Sequence, residues 1–506
     1  MQHQLEALRL MSDRREFALF MEQGTGKTWT LLAHAERLYA AGKINGLLVV
    51  APNGVHTNWT RREIPAHMDV HHIARAWKTG AGKRETASIR QVLRNREAGE
   101  QPPLRIYAAS FDSLMTKKGL EMAEEFLLST NAVIVIDESS RIKNPDSGRT
   151  KVVMGLRKFA AYAYIASGTP VTNAPADVFA QMEFLSEGLL GTTSYRAFVA
   201  EYAELLRPDH PMMQRMIERN PRIAFAQVIA KGADGKPVWR NLDKLKGLLA
   251  PHSYRVLKRD CLDLPDKIYK SVYFSLTAKQ QKVYDHLKRE LRIEHGEQVL
   301  VVNKLSSINK LQQITSGFYL PPGGGEPVYV EEKNPRLAAL VNALEDVTGQ
   351  FIVWANFKEE LLCVSAALRK AGYSVVEYHG GVKKDDREIA VDSFQTGTAD
   401  AFVAQPKAGG IGLTLTAAET AFYFSNSYNM EDRAQSEDRS HRKGTTKNVV
   451  YIDVVAEGTI DEDITAALQR KTEVAAQILG DDIDIHDMPA IRPNADMISL
   501  FERDAQ

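Results

Sequence analysis

Cysteine is nearly absent from this chain: Cys261 and Cys363 are the only two among 506 residues. A disulfide framework is thereby excluded, and no cysteine zinc site can be assembled. An excess charge of either sign is also missing, because 64 basic and 64 acidic side chains cancel. A surface coated in nucleic acid over its whole extent would need surplus cations; a local basic groove would not. Long apolar runs are lacking too. The segment 408–418 is rich in Gly and Thr and runs into Glu419, which suits a buried element and not a membrane span. The start, MQHQLEALRLMSDRREF, lacks the basic-then-apolar order of a secretory signal. The expectation is a soluble, cytoplasmic chain in a reducing compartment, with no membrane partner.

What is present is an ordinary globular balance, 44% apolar and 25% charged. A chain of this length exceeds what one hydrophobic core organises, so two or three domains are expected. Within residues 1–200, short apolar runs alternate with longer mixed stretches. Phe17–Met21, Leu47–Ala51, Ile106–Ala109, Ala132–Ile136 and Ala163–Ala166 read as strands. Runs without clean polar alternation, separated by helical patterns, predict a parallel sheet covered on both faces. A helix is expected from Lys27 to about Ala41, stopped by Gly42.

Between the first strand and that helix stands MEQGTGKT, residues 21–28. Gly24 and Gly26 let backbone N–H groups turn toward a β-phosphate where a side chain would intrude. Lys27 brings a positive charge to the β- and γ-oxygens, and the Thr28 hydroxyl can ligate Mg²⁺. The helix starting here adds partial positive charge at its N-terminus. Gln23, Gly24, Thr25, Gly26, Lys27 and Thr28 are therefore the candidate nucleotide-binding run, with ATP the expected nucleotide. Met21 stands where the strict pattern has Gly. Downstream, IVIDE at 134–138 carries an acidic pair out of the sheet. Asp137 suits holding Mg²⁺ through water, and Glu138 suits polarising an attacking water.

DESSRIKN at 137–144 resembles the DEAH-type box and RIKN tail of Swi/Snf-type translocases in helicase superfamily 2, with Ser139-Ser140 in place of Ala-His. SGTPVTN at 167–173, and the stretch through Asp177, Phe179, Gln181 and Phe184-Leu185, are similar to the family's third motif. The resemblance implies that Gln4 reads the adenine edge. It implies nucleic-acid contacts for Pro52 and Trp59 in APNGVHTNW, for Ser110 in the loop after the Ile106 strand, and for Thr169 and Asn173. Taken by itself, Trp59 suits packing better than base stacking.

Residues 201–265 read as an insertion and linker, charged and broken by Pro208, Pro211 and Pro221, with ADGK at 233–236 as a turn. RVLKRDCLDLPDK at 255–267 is similar to the family's link into its second half. There Arg255, Lys258 and Arg259 offer either a phosphate-backbone contact or a solvated helix face. Residues 266–480 repeat the βα alternation without a phosphate loop: strands at Lys267–Leu276, Phe351–Trp354, Ser374–Glu377, Ala401–Ala404 and Ala421–Ser425, a helix over Thr277–Ile293 capped by Thr277, and another closing at Gly317. The resemblance implies an α/β fold of two RecA-like parallel-sheet lobes in tandem, of the P-loop NTPase type. One nucleotide site for two sheets implies that the second lobe completes what the first supplies.

AGGIGLTLT at 408–416 resembles the fifth motif, which assigns Gly409 and Thr414 to nucleic acid and Gly410 to the nucleotide; Gly380 joins the nucleic-acid set. QSEDRSHRKG at 435–444 completes the pattern. Arg439 and Arg442 are i, i+3 neighbours that a helix puts on one face, each with a planar donor fork. The resemblance implies that both reach the nucleotide, Arg442 as the better finger, with Gln435 in the same catalytic set and His441 structural. Gly444-Thr445 stands where the family often has Gly-Gln. Residues 481–506 read as an acidic tail without chemistry.

The expected function is a motor that couples ATP hydrolysis, with Mg²⁺, to movement on or remodelling of duplex DNA. Its backbone contacts would be non-specific and salt-sensitive. Two alternatives stay open: a helicase acting on RNA or single-stranded DNA, and a nucleotide-gated binding subunit without turnover. So compact a chain suits a bacterial or viral origin.

Overall fold

A computed structural model describes residues 1–482 except 78–81, 95–101, 220, 233–236, 296–300, 322–324, 331–332 and 408–412. The ADGK turn, Gly409, Gly410 and the tail beyond Asp482 therefore lie outside the described residues. The chain divides into two compact units. The first comprises Met1–Tyr202, Trp239–Asp263 and Val474–Asp481; the second comprises Ala203–Val238, Leu264–Glu473 and Asp482–Gln506.

In the first unit the strands are β1 (Glu16–Met21), β2 (Gly46–Ala51), β3 (His72–Ala76), β4 (Leu104–Ser110), β5 (Ala132–Asp137), β6 (Tyr162–Ala166) and β7 (Ser253–Val256). They form one sheet in the order β3-β4-β2-β5-β6-β1-β7, with every pairing parallel. The central strands are apolar almost throughout because helices cover both faces. Helices α1 (Gln2–Met11) and α2 (Lys27–Ala40) bring Ala7, Met11, Leu31, Leu32 and Ala35 against Phe17, Leu19, Leu47 and Val49. Each large apolar side chain removed from water there contributes about 1.5–3 kcal/mol. Gly42 ends α2 at φ 67, which lets the Lys43 N–H reach the Leu38 carbonyl at 2.9 Å.

Two strands of this sheet were not among the expected ones. β3 (HIARA) and β7 (SYRV) are its edges, half-exposed and partly polar, so neither shows as an apolar run. β7 lies in the stretch read as linker. It pairs with β1 and sets Arg255 beside Phe20.

The second unit carries β8 (Lys267–Phe274), a short antiparallel pair of β9 (Phe318–Tyr319) with β10 (Val328–Tyr329), then β11 (Phe351–Trp354), β12 (Val375–Tyr378), β13 (Ala401–Ala404), β14 (Thr420–Tyr423) and β15 (Val449–Ala456). The order is β12-β13-β11-β14-β15-β8, again parallel at every pairing. The helix Ala278–His295 opens with a reciprocal cap: the Gln280 N–H donates to Thr277 Oγ1 at 3.1 Å, and the Thr277 N–H donates to Gln280 Oε1 at 3.2 Å. Among the described residues no helix is long and apolar enough to cross a membrane.

Candidate functional site

The loop Gln23–Thr28 leaves the carboxyl end of β1, the segment from Asp137 leaves β5, and the segment from Ser167 leaves β6. In a parallel sheet all three ends face the same way, where ligands of open α/β sheets bind. Gly24 and Gly26 hold φ of 86° and 93°, a conformation that side chains resist. A Cβ on Gly26 would lie 2.0 Å from Gln4 Nε2, so Gln4 of α1 is seated against the loop. His3 Nε2 lies 2.8 Å from the Thr25 carbonyl, a second tie from the same helix that sequence reasoning missed. Lys27 is buried, and its ammonium donates to the carbonyls of Met21 (2.8 Å) and Glu22 (3.2 Å). Thr28 follows it in the first turn of α2.

Asp137 ends β5 at 8% exposure. Burial pushes its carboxyl above the ordinary range, while the Trp59 hydrogen bond, the Lys27 charge and the Glu138 N–H pull the other way. Trp59 Nε1 donates to Asp137 Oδ2 at 2.9 Å. Glu138 takes φ 55, ψ 60, a left-handed conformation uncommon for a non-glycine residue. These residues fit a nucleotide and its cation: glycines that open the loop, a buried ammonium, a hydroxyl in the first helical turn, and a buried carboxylate within the lysine's field.

The segment after β6 closes onto the same place. A Cβ on Gly168 would stand 3.3 Å from the Gln23 N. Ser139 Oγ donates to Gln181 Oε1 at 2.7 Å, and Gln181 Nε2 donates to the Pro170 carbonyl at 2.7 Å. Asp177 Oδ2 accepts from the Thr172 N–H (2.9 Å) and the Asn173 N–H (2.7 Å), and Lys143 Nζ bonds Thr172 Oγ1. The Ser that stands in place of Ala thus ties the acidic box to the third motif.

Three expectations need correction. Trp59 is 1% exposed, and a ring with no free face cannot stack on a base. Ser110 is buried, its Oγ accepting from the Ser113 N–H at 3.1 Å as a helix cap, so it offers nothing to nucleic acid. Arg255 is neither a phosphate contact nor a solvated face. It grips Asp481 at 2.7 Å and donates to the carbonyls of Phe20 (3.2 Å) and Gly168 (3.1 Å). Lys258 is buried, with its Cε 3.9 Å from where a Gly24 Cβ would sit, while Arg259 is half-exposed beside Asp260. Pro52 and Thr169 are half-buried and Asn173 is exposed.

In the second unit the arginines lie on or just beyond the helix Met430–Ser440, which Asn429 caps by accepting from the Glu431 N–H at 3.2 Å. Arg439 is 2% exposed, and its charge acts on Tyr378 of β12. Arg442 is half-buried and donates from Nη1 to the Leu413 carbonyl at 3.0 Å. Gln435 Nε2 donates to Glu431 Oε1 at 3.1 Å. His441 Nε2 meets the Pro265 carbonyl at 2.7 Å, a structural tie. Thr414 is half-buried and Gly380 exposed.

Beneath this helix runs a buried charge network that sequence reasoning did not find. Arg433 donates to Glu437 Oε1 at 2.7 Å and to Asp453 Oδ1 at 2.5 Å, with its guanidinium 3.5 Å from the Tyr423 ring centroid. Lys267 Nζ and Tyr269 Oη donate to Glu437 Oε2 at 3.0 and 2.8 Å. No local motif announces it, since its members come from β8, β14, β15 and the helix.

Two parallel-sheet lobes, the first with a glycine–lysine–threonine loop and an acid-ended strand, define a tandem RecA-like protein of the P-loop class. The chain belongs to the SNF2-related family of helicase superfamily 2: the SNF2-related domain matches residues 3–318, and the helicase conserved C-terminal domain matches residues 332–444. It is similar to the chromodomain-helicase-DNA-binding protein 1-like of Danio rerio, 24% identical over 93% of this chain and 42% of that one. It is likewise similar to the uncharacterized ATP-dependent helicase MG018 of Mycoplasma genitalium, 24% identical over 95% of this chain and 42% of that one. The chain thus spans less than half the length of these curated relatives. Among solved structures, the Sulfolobus solfataricus SWI2/SNF2 ATPase core in complex with dsDNA aligns over 95% of this chain and 96% of that one, at 20% identity and a TM-score of 0.38.

Proposed function

We propose that the chain is a nucleic-acid-dependent ATPase that couples hydrolysis to movement along duplex DNA. The observation that carries this reading is the meeting of three segments at the carboxyl end of the first sheet: the Gly24–Thr28 loop, Asp137, and the Gly168 turn. In this reading Lys27 exchanges the carbonyls of Met21 and Glu22 for phosphate oxygens. Glu138 orients the attacking water. Mg²⁺, which Thr28 and Asp137 would hold, neutralises charge on the β- and γ-phosphates when bound. The reading assigns Arg439 and Arg442 to charge developing on the transferring phosphoryl group, and Gln4 to the adenine edge.

Duplex DNA as the polymer is supported by the family and by the DNA-binding and helicase names of relatives. Asn173, exposed beside the Thr172–Asp177 cluster, is assigned to the phosphate backbone, as are Pro52, Thr169, Gly380 and Thr414. Such contacts would read backbone and not base. The test is steady-state ATP hydrolysis with duplex DNA, single-stranded DNA, RNA and no polymer, beside a Lys27→Ala control. Stimulation by duplex DNA that Lys27→Ala abolishes is expected. Stimulation by RNA alone overturns the duplex assignment, and nucleotide binding without turnover under any polymer overturns the ATPase.

A further inference from the structure

Trp59 is the buried aromatic whose polar end faces the acidic box. The turn that delivers it is unusual. Pro52 follows β2, its carbonyl accepts from the Val55 N–H at 3.1 Å, and Gly54 at φ 86 starts a short helix. That helix widens over Trp59–Glu63 into a single π-helical turn, a form that concentrates at functional sites. The widening sends the Trp59 ring into the core with Ile64 and Met68, while Arg61 and Arg62 on the same turn stay exposed.

The indole N–H is a donor only and finds one partner, Asp137 Oδ2 at 2.9 Å. The other carboxylate oxygen, Oδ1, accepts from the Glu138 N–H at 3.1 Å. Each oxygen of Asp137 is thus held by one donor, which fixes the plane of the carboxylate and leaves each oxygen a further lone pair. We propose that Trp59 is a positioning residue for Asp137: its indole N–H fixes the carboxylate orientation in which Asp137 receives the hydrated cation of a Mg²⁺–nucleotide complex. The inference rests on the reading of Asp137 given above. Trp59 touches neither nucleotide nor cation in it; it acts through Asp137, as outer partners of metal-handling carboxylates do.

The test uses the full chain with Trp59 replaced by benzothienylalanine, which keeps the ring shape and substitutes sulfur for the N–H, and a Trp59→Phe variant beside it. The measurement is the affinity of a fluorescent ATP analogue titrated with Mg²⁺, without turnover. Loss of the N–H should raise the Mg²⁺ concentration for half-maximal tightening by about tenfold, the lower end of what outer-partner removal costs, while Mg²⁺-free affinity and melting temperature of the isosteric variant hold. A purely packing role predicts the reverse: a lower melting temperature in Trp59→Phe and an unchanged Mg²⁺ midpoint in the isostere, and that result overturns the proposal. Asp137→Asn is the control. If it shifts the Mg²⁺ midpoint and the isostere does not, only the positioning role fails; if it does not shift it either, the assignment of Asp137 fails and the inference with it.

Discussion

Lys267 Nζ and Glu437 Oε2 lie 3.0 Å apart and join the edge strand β8 to the helix that carries Arg439. Burial alone would raise the Glu437 carboxyl, but the charges of Lys267 and Arg433 outweigh it and hold the pKa at about 2. The pair is a support under the arginine helix. Arg433 extends it to Asp453 at the core of β15, and Tyr269 closes it from the strand. An isolated helix of this sequence, with six charged residues among its eleven, would have little apolar face to hold it down. Charge pairing takes the place of apolar packing here.

Glu437→Gln should therefore destabilise the second unit by about 3 kcal/mol. That is the low end for unpairing a buried charge, because Lys267 is 28% exposed and can turn toward water. The sign with pH follows from the depressed pKa. Stability contributed by ionised Glu437 is fully present above its ordinary value of 4.5 and is lost as pH falls from there toward about 2. Urea midpoints followed from about pH 6 down to about pH 3 should fall more steeply for the unaltered chain than for Glu437→Gln. Parallel slopes would remove Glu437 from the account.

Gly26→Ala tests the loop itself. The new Cβ meets Gln4 Nε2 at 2.0 Å and the residue must hold φ 93. The conformational strain alone is about 1–2 kcal/mol, so ATP affinity measured by calorimetry should weaken by about tenfold or more. Adding Gln4→Ala removes the collision and leaves the strain. The double variant should regain part of the lost melting temperature; no recovery at all would mean that Gln4 does not stand where Gly26 requires its absence of a side chain.

How much of this was legible before the fold was known depends on how local each signal is. β1, β2, β5, β11 and β13 show themselves because strands buried on both faces must be apolar throughout. β3 and β7 do not, because an edge strand with one neighbour tolerates His72, Arg75 or Arg255. The phosphate loop is legible for the same reason of locality: its chemistry needs Gly, Lys and Thr in consecutive places. Trp59 showed as an aromatic in a motif, but its direction depends on a π-helical turn that no residue pattern declares. The Lys267–Glu437–Arg433–Asp453 network was invisible since each partner, taken alone, looks like a solvated charge.

Ser139→Ala restores the residue common in the family and should still cost stability. Ser139 and Gln181 are both fully buried, and the serine hydroxyl is the donor to Gln181 Oε1. Removing it leaves a buried amide oxygen short of a partner, worth about 1–2 kcal/mol. Thermal unfolding of the variant should show the loss. Ser139→Thr, which keeps the hydroxyl, tests whether the bond or the space is decisive: if Ser139→Ala melts with the parent chain, the tie between acidic box and third motif has no energetic weight.

The two arginines should separate under mutation because their surroundings differ. Arg439, at 2% exposure, is packed inside the second unit, so Arg439→Ala leaves a cavity and should lower stability along with any activity. Arg442 is half-buried, and its guanidinium donates to the Leu413 carbonyl. Arg442→Ala should therefore fold with a stability change of about 0.5 kcal/mol or less and bind ATP normally. If Arg442 supplies the charge that stabilises the transferring phosphoryl group, turnover should fall by about 10³-fold, the lower end for such arginines. Arg442→Lys keeps the charge and loses the planar fork, so it should recover only part of the rate. Single-turnover hydrolysis with duplex DNA makes the measurement. An Arg442→Ala protein that hydrolyses at the parent rate, while Arg439→Ala is folded and slow, would move the finger from the half-buried position to the buried one.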